Sequence, residues 1–153
     1  MGADFTENTT GSKMDWRDRL ETIVSGKKLS VWTGFEFPGR NGKYSSFRWN
    51  KSHFSGVDWN NLTGRNGIFK LNGHLWSGKV ADENGNYDYL MGADVDFSVP
   101  EVREELTRWG KWYFDTTKID GVRLDAVKHI SYAFFPHWLK ALREHTGGEV
   151  FAV

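Results

Sequence analysis

The sequence predicts an α/β fold preceded by an irregular, β-rich half. Up to about Phe97, short aromatic and β-branched runs alternate with Asn-Gly turn dipeptides, a pattern typical of strands and loops. Beyond Phe97 the apolar residues recur at helical spacing and alternate with short apolar runs. Helix, strand, helix and strand in that order imply parallel strands joined by crossovers, hence an α/β layer or barrel. We therefore expect two domains, 1–97 and 98–153.

Three runs in the first half predict strands, at 29–37, 44–50 and 67–71. The dipeptides Asn41-Gly42, Asn66-Gly67 and Asn72-Gly73 are the turn signals between them. A helical turn is expected at 15–23, where Trp16, Leu20 and Ile23 are spaced for one face of a helix.

The second half begins with a predicted helix at 99–116. Ser98 and Glu101 have the spacing of a capping box, and Pro100 suits a first helical turn. A strand at 121–127 follows, then a second helix at 136–145 that stops at Gly147-Gly148. A last strand is expected at 149–153.

Composition excludes several classes of partner. The 153 residues hold 20 Lys and Arg against 20 Asp and Glu, without the basic stripe that a nucleic-acid site requires. No apolar run is long enough to span a bilayer, so we expect neither nucleic acid nor membrane as a partner. Because cysteine is absent, any metal would sit on oxygen or imidazole. The 8 Trp, 11 Phe and 5 Tyr suit exposed sugar platforms and a buried core equally well.

The predicted strand at 121–127 carries two charges on one face. Residues alternate between the faces of a strand, so Arg123 and Asp125 lie side by side. Between flanking helices both faces are normally buried, and a buried carboxylate must be paired or functional. Arg123 supplies the pairing and favours the ionised form that a nucleophile needs. A structural ion pair explains the pattern equally well.

The segment GVRLDAVKH resembles the nucleophile strand of the α-amylase family, glycoside hydrolase family 13. The matching residues are Gly121, Arg123, Asp125, Ala126, Lys128 and His129. The similarity continues upstream through GNYDYLMGADVDF and, more loosely, through FPGRNGKYSSFRWNKSHFSGVDW. The sequence looks most like the bacterial liquefying and cytoplasmic α-amylases.

This resemblance implies a retaining hydrolase of internal α-1,4-glucosidic bonds in starch or glycogen. It further implies a (β/α)₈ TIM barrel, of which 98–153 would run from the third helix to the start of the fifth strand. Residues 1–97 would form the protruding, calcium-binding domain B.

In the family, the position of Asp125 is the nucleophile and that of Arg123 orients it. The positions of Lys128 and His129 lie at the leaving-group side of the substrate cleft. Tyr87 adjoins the family's metal loop, and we expect it to stack on a sugar ring.

A retaining mechanism needs a second carboxyl group about 5 to 5.5 Å from the nucleophile. The resemblance places that acid beyond Val153, so the isolated chain is expected to be inactive, as a fragment of an intact, monomeric enzyme. Three alternatives remain open: a non-catalytic calcium- or glucan-binding module, a related transglycosylase, or an α-glucosidase.

An acidic stretch follows Tyr87. Asp88, Asp94 and Asp96, with Asp58 upstream, match no EF-hand spacing, and by spacing alone they are more typical of a solvated loop. The resemblance instead implies a calcium ion bound by Asp88, Asp94 and the backbone carbonyl of His129. Asp58 and Asp96 are weaker candidates, because Ser77 and Ser98 stand where relatives with further metal sites carry aspartate.

Overall fold

A computed structural model describes residues 3–153, and a five-stranded antiparallel sheet fills their first part. Its strands are β1 (Ala3–Met14), β2 (Thr22–Glu36), β3 (Phe54–Asn60), β4 (Arg65–Leu71) and β5 (Ala93–Val95). They are arranged in the order β2-β1-β4-β3-β5. The predicted strands at 29–37 and 67–71 are confirmed as the ends of β2 and β4, whereas β1, β3 and β5 were not predicted.

The helical turn expected at 15–23 is wrong. The Asp15 side chain accepts hydrogen bonds from the backbone amides of Arg17 at 2.7 Å and Asp18 at 3.1 Å. Carboxylates that bond nearby amides in this way compete with helix formation and favour a turn. Trp16 is consequently exposed instead of lying on a buried helical face.

The strand expected at 44–50 is also wrong, apart from one isolated bridge between Phe35 and Trp49. The guanidinium of Arg40 draws the loop inward by donating to the carbonyls of Ser45 and Phe47 at 3.1 and 3.2 Å. These carbonyls are therefore directed to a side chain and not to a neighbouring strand.

One of the turn dipeptides is wrong and another is confirmed. Asn66-Gly67 lies inside β4 and continues the strand. Asn72-Gly73 forms a turn, in which Gly73 has φ +85°, a value that residues with a side chain rarely adopt.

Both predicted helices are confirmed with small shifts at their ends. Helix α1 spans Pro100–Thr117 and α2 spans Phe134–Thr146, ending at Gly147 with φ +69°. The predicted Ser98 cap is wrong: the N-cap is Val99 without a side-chain bond. Ser98 instead donates its hydroxyl to a carboxylate oxygen of Asp96 at 2.5 Å.

A short parallel pair of strands flanks α2 along the chain. Strands β6 (Gly121–Val122) and β7 (Phe151–Ala152) pair in parallel, with α2 between them along the chain. The strand predicted at 121–127 is thus much shorter, although the Leu124 amide still donates to the Val153 carbonyl at 2.7 Å. Residues 3–153 contain one strand–helix–strand unit and no closed barrel. The partial barrel and the two domains stay predictions.

Separate apolar clusters stabilise the sheet and the helices. Leu29, Val31, Phe54, Val57, Phe69 and Leu71 form the core of the sheet. Phe114, Trp138, Leu142 and Val150 form the core around α1 and α2. No helix in the described part of the chain is long and apolar enough to cross a membrane.

Candidate active site and acidic cluster

The predicted nucleophile lies just past the end of β6. Arg123 Nη2 and Asp125 Oδ1 are 3.4 Å apart, and their side chains are 73% and 81% exposed. The expectation of a buried pair is therefore wrong, because β6 ends at Val122 and Ala126 turns the chain with φ +54°. A ligand can approach this exposed carboxylate directly. The catalytic role of Asp125 stays a prediction.

Asp125 and Arg123 border a cleft of about 620 Å³ between α1 and the segment that follows β6. Aromatic side chains line much of it, including Trp109, Tyr113 and Trp138. Aromatic faces pack well against the apolar face of a sugar ring. The cleft therefore places apolar surface beside the exposed carboxylate.

Three predicted substrate-binding residues lie together, although Tyr87 precedes His129 by 42 positions in the sequence. The rings of Tyr87 and His129 are 4.3 Å apart, and Lys128 Nζ lies 4.8 Å from the centre of the Tyr87 ring. His129 Nδ1 donates to the Tyr87 carbonyl at 2.7 Å, which fixes the orientation of the imidazole. The structure thus brings Tyr87, Lys128 and His129 into one cluster, while their binding role stays a prediction.

Backbone hydrogen bonds hold this cluster together. The Ala81 amide donates to the Lys128 carbonyl at 2.9 Å, and the Tyr132 amide donates to the Lys79 carbonyl at 2.8 Å. Lys128 also pairs with Glu83 at 3.0 Å. The loop that carries Tyr87 is therefore docked on the segment that follows Asp125.

The acidic stretch contains two carboxyl groups with perturbed titration. Burial raises the pKa of Asp88 to about 6, with the negative charge of Asp96 adding to the rise. Burial likewise raises the pKa of Asp94 to about 7, with further contributions from the charges of Asp88 and Asp96. Asp88 accepts from the Ser77 amide at 2.8 Å, which opposes the shift. A buried and a half-buried carboxyl group that repel each other are a donor set that a cation would stabilise.

The two weaker metal candidates are occupied by protein partners. Asp96 accepts from His74 Nδ1 at 2.7 Å on one oxygen and from Ser98 on the other. Asp58 accepts from the Gly92 amide at 2.8 Å. Asp88 and Asp94 each accept a protein hydrogen bond as well, from the Ser77 amide and the Ser55 hydroxyl, so only Asp96, with both oxygens occupied, is clearly less free to bind an ion.

Within 3–153, no three His, Asp or Glu side chains are placed to hold a metal ion together. A site at Asp88 and Asp94 would thus need backbone oxygens as well, and the His129 carbonyl is the one that the resemblance implies. The chemistry of the donors suits calcium, which prefers carboxylate and carbonyl oxygen.

Arg19 is a residue that the sequence analysis missed. It is only 8% exposed, and its guanidinium lies 4.3 Å from the centre of the Tyr87 ring and 5.6 Å from that of Tyr89. No sequence signal separates it from Arg17, which lies two positions earlier and is exposed.

A second missed contact links the sheet to α1. His53 is buried, and its Nε2 donates to Glu101 at 2.7 Å while its Nδ1 accepts from the Asn50 amide at 3.1 Å. The rings of Phe47 and Trp49 pack against it at 4.7 and 5.7 Å. Glu101, which was expected to cap α1, therefore binds His53, the residue just before β3.

Comparison with known proteins finds close relatives over nearly the whole chain. It is 47% identical over 152 residues to an α-amylase of Bacillus licheniformis, with 99% of this chain and 30% of that protein covered. It is 49% identical over 154 residues to an α-amylase of Geobacillus stearothermophilus, covering 99% of this chain and 28% of the relative. A cytoplasmic α-amylase of Escherichia coli K12 is 38% identical over 157 residues, covering 100% and 32%.

No protein-family model matches the chain. The chain spans about 30% of the length of the curated relatives that it matches. Identity at this level, distributed along the entire chain, indicates common descent and not the convergence of one short motif. The resemblance first noted in GVRLDAVKH is confirmed, and the chain belongs to the α-amylase family.

Proposed function

We propose that this chain contributes the nucleophile to the retaining endo-hydrolysis of α-1,4-glucosidic bonds in starch- or glycogen-type glucans. The observation that carries the proposal is an exposed carboxylate, Asp125, beside a guanidinium at the carboxyl end of a parallel strand. In α/β barrels, catalytic groups lie at that end of the strands. The α-amylase relatives supply the reaction class.

The chemistry assigns a distinct task to each residue of the pair. In the first step a carboxylate oxygen of Asp125 bonds to the anomeric carbon while the glycosidic C–O bond breaks. A separate carboxylic acid must protonate the leaving oxygen, and water later hydrolyses the covalent intermediate. Arg123, 3.4 Å away, would orient the Asp125 carboxylate for this attack.

Tyr87, Lys128 and His129 are proposed to bind sugar next to this carboxylate. Their support is the cluster itself, in which an aromatic ring, an ammonium group and an imidazole lie together one turn after Asp125. A ring face offers a stacking surface, and the polar groups supply hydrogen bonds to hydroxyls.

We further propose calcium as the cofactor, bound by Asp88, Asp94 and the His129 carbonyl. When bound, the ion would neutralise the repulsion between the two carboxylates. Because His129 also packs on Tyr87, the ion would stabilise the loop that carries the proposed sugar contact.

A chimera tests the catalytic proposal. The chain replaces the matching stretch of the Bacillus licheniformis α-amylase, and hydrolysis of amylose is measured. We expect an active chimera in which Asp125→Asn lowers kcat by at least about 10³-fold, as for loss of a nucleophile. The matched control is Asp120→Asn, an exposed carboxylate just before the amino end of β6, which should retain activity.

Full activity of Asp125→Asn would contradict the nucleophile assignment. Product analysis of the active chimera separates endo-hydrolysis from the alternatives. Short internal cleavage products support an α-amylase, whereas transfer products or release of single glucose units favour a transglycosylase or an α-glucosidase.

A further inference from the structure

Arg19 is a buried cation that forms no close ion pair in the described part of the chain, although its charge lowers the pKa of Asp94. It is 8% exposed, and among residues 3–153 it forms no ion pair with a carboxylate. Its Nε has no hydrogen-bond partner in the described structure. Removing a charged group from water is costly unless other interactions compensate. The surroundings of Arg19 should therefore show what its charge interacts with.

The backbone of Arg19 is fixed on both sides. Its amide donates to the Asn84 carbonyl at 2.8 Å, and its carbonyl accepts from Trp76 Nε1 at 2.9 Å. The side chain then extends to the loop before β5, where Nη1 donates to the Tyr89 carbonyl. Arg19 thus joins the turn between β1 and β2 to the loop that carries Tyr87.

Aromatic rings supply one interaction that compensates for the burial of this charge. The guanidinium lies 4.3 Å from the centre of the Tyr87 ring, closer than the 5.6 Å to Tyr89. A cation over an aromatic face contributes more to stability when it is desolvated than at an exposed site. Tyr87 is therefore the nearer aromatic partner of the guanidinium, whose charge also acts on Asp94.

Tyr87 in turn contacts the residues that follow Asp125. Its ring lies 4.3 Å from that of His129, and its carbonyl accepts from His129 Nδ1 at 2.7 Å. Lys128 Nζ lies 4.8 Å from the same ring. A shift of the Tyr87 ring would disturb its contacts with both residues.

We infer that Arg19 is a positioning residue that holds the Tyr87 ring, and through it Lys128 and His129, in the orientation that binds a glucan. The inference deepens the proposed function and rests on it for the identity of the ligand. Arg19 itself is buried beneath Tyr87 and acts through that ring, so it is not a catalytic residue.

Two substitutions in the 153-residue chain separate the charge from the volume of the side chain. Arg19→Met keeps a long, flexible side chain without charge, and Arg19→Lys keeps a charge over the ring. Ring signals of Tyr87 and His129 are followed by NMR, and the affinity for maltoheptaose by calorimetry. The control is Arg17→Met, which removes an exposed guanidinium 4.7 Å from the Trp16 ring in the same turn.

We expect Arg19→Met to shift the ring signals of both Tyr87 and His129 and to weaken maltoheptaose binding by about tenfold. Arg19→Lys should recover most of the affinity, to within about threefold of the unmodified chain, because the cation is kept. Arg17→Met should change neither the signals nor the affinity. Equal effects of Met and Lys, or unchanged Tyr87 signals in Arg19→Met, would overturn the inference.

The inference can still be tested if Arg19→Met does not fold, or if the unmodified chain does not bind maltoheptaose. If Arg19→Met does not fold, the unmodified chain decides, since the inference requires nuclear Overhauser contacts between the guanidinium and the Tyr87 ring. If the unmodified chain binds no maltoheptaose, the proposed glucan site fails. The ring signals of the Lys and Met variants then still decide whether Arg19 positions Tyr87.

Discussion

At the scale of single residues, burial raises the pKa values of the Asp88 and Asp94 carboxyl groups, and a bound cation would stabilise their charged forms. Each has its pKa raised mainly by burial, and the proximity of other carboxylates adds to the effect. The sequence indicated acidic residues, but the spacing favoured a solvated loop. Burial of Asp88 against the Ser77 amide is a tertiary feature that no local pattern predicts.

The raised pKa values predict how stability depends on pH in the absence of metal. The folded chain binds protons on Asp88 and Asp94 more tightly than the unfolded chain, in which these carboxyl groups have their ordinary pKa of about 3.8. The free energy of unfolding should therefore fall as pH rises from about 4 to about 7, by about 1.4 kcal/mol for each unit of difference in pKa. Thermal melts in a chelator at several pH values measure it.

The control for this dependence is Asp94→Asn, which removes one of the two titrating groups. We expect a smaller loss of stability between pH 5 and pH 8 than in the unmodified chain. Identical pH profiles for the two proteins would show that Asp94 titrates normally.

Calcium should stabilise the folded chain by mass action. An ion present at 100 times its Kd adds about 2.7 kcal/mol to the free energy of unfolding. We expect an increase in Tm with calcium that Asp94→Asn abolishes. Asp82→Asn, which removes an exposed carboxylate from the same region, should retain the increase. An undiminished increase in Asp94→Asn would contradict the proposed ligand set.

At the scale of elements, the helices follow from local patterns, whereas their attachment to the sheet does not. Periodic apolar residues, Pro100 and Gly147 define α1 and α2, because all of these signals act within a few residues. The contact that the Glu101 side chain makes does not follow from its local sequence pattern. It is expected from spacing to close a capping box, yet it binds His53, 48 positions away.

The His53 contact should stabilise the link between the sheet and α1. His53→Ala removes a buried hydrogen-bonded ring and leaves a cavity beside Phe47 and Trp49, so we expect a loss of about 2–4 kcal/mol in the free energy of unfolding. His145→Ala is the matched control, because His145 likewise pairs with a carboxylate, that of Asp115 at 2.9 Å, but at the surface. The control should cost about 0–1 kcal/mol. Similar losses in urea denaturation of the two variants would contradict a special role for His53.

At the scale of the whole molecule, the two apolar cores differ in the support that they receive. The sheet core lies beneath five paired strands. The helical core is bordered only by β6 and β7, a parallel pair in which each strand has two residues. Trp109 and Trp112 on α1 remain 48% and 41% exposed. Regions with few paired strands and exposed apolar side chains are expected to open at lower free energy.

Hydrogen exchange should reveal this difference. Amides of the β3–β4 ladder are expected to exchange most slowly. The amides of Leu124, just after β6, and of Phe151, in β7, should exchange at least about tenfold faster. Exchange measured residue by residue at constant pH provides the comparison, with α1 amides as an internal reference. Protection of Leu124 and Phe151 equal to that of the central sheet would contradict the prediction.

The sequence by itself determined the family, the two helices and the parallel order of the last two strands. These conclusions rest on contiguous signals: a nine-residue motif, helical periodicity, and a proline and glycines at the helix ends. Local interactions produce such signals, so they are visible without the fold.

Only the tertiary structure decided which charged residues are buried and what they meet. It left Asp125 exposed, paired His53 with Glu101, and buried Arg19 beneath Tyr87 while Arg17 stayed at the surface. The physical reason is that burial and pairing depend on segments tens of residues apart, and these segments meet only when the sheet and its loops have packed.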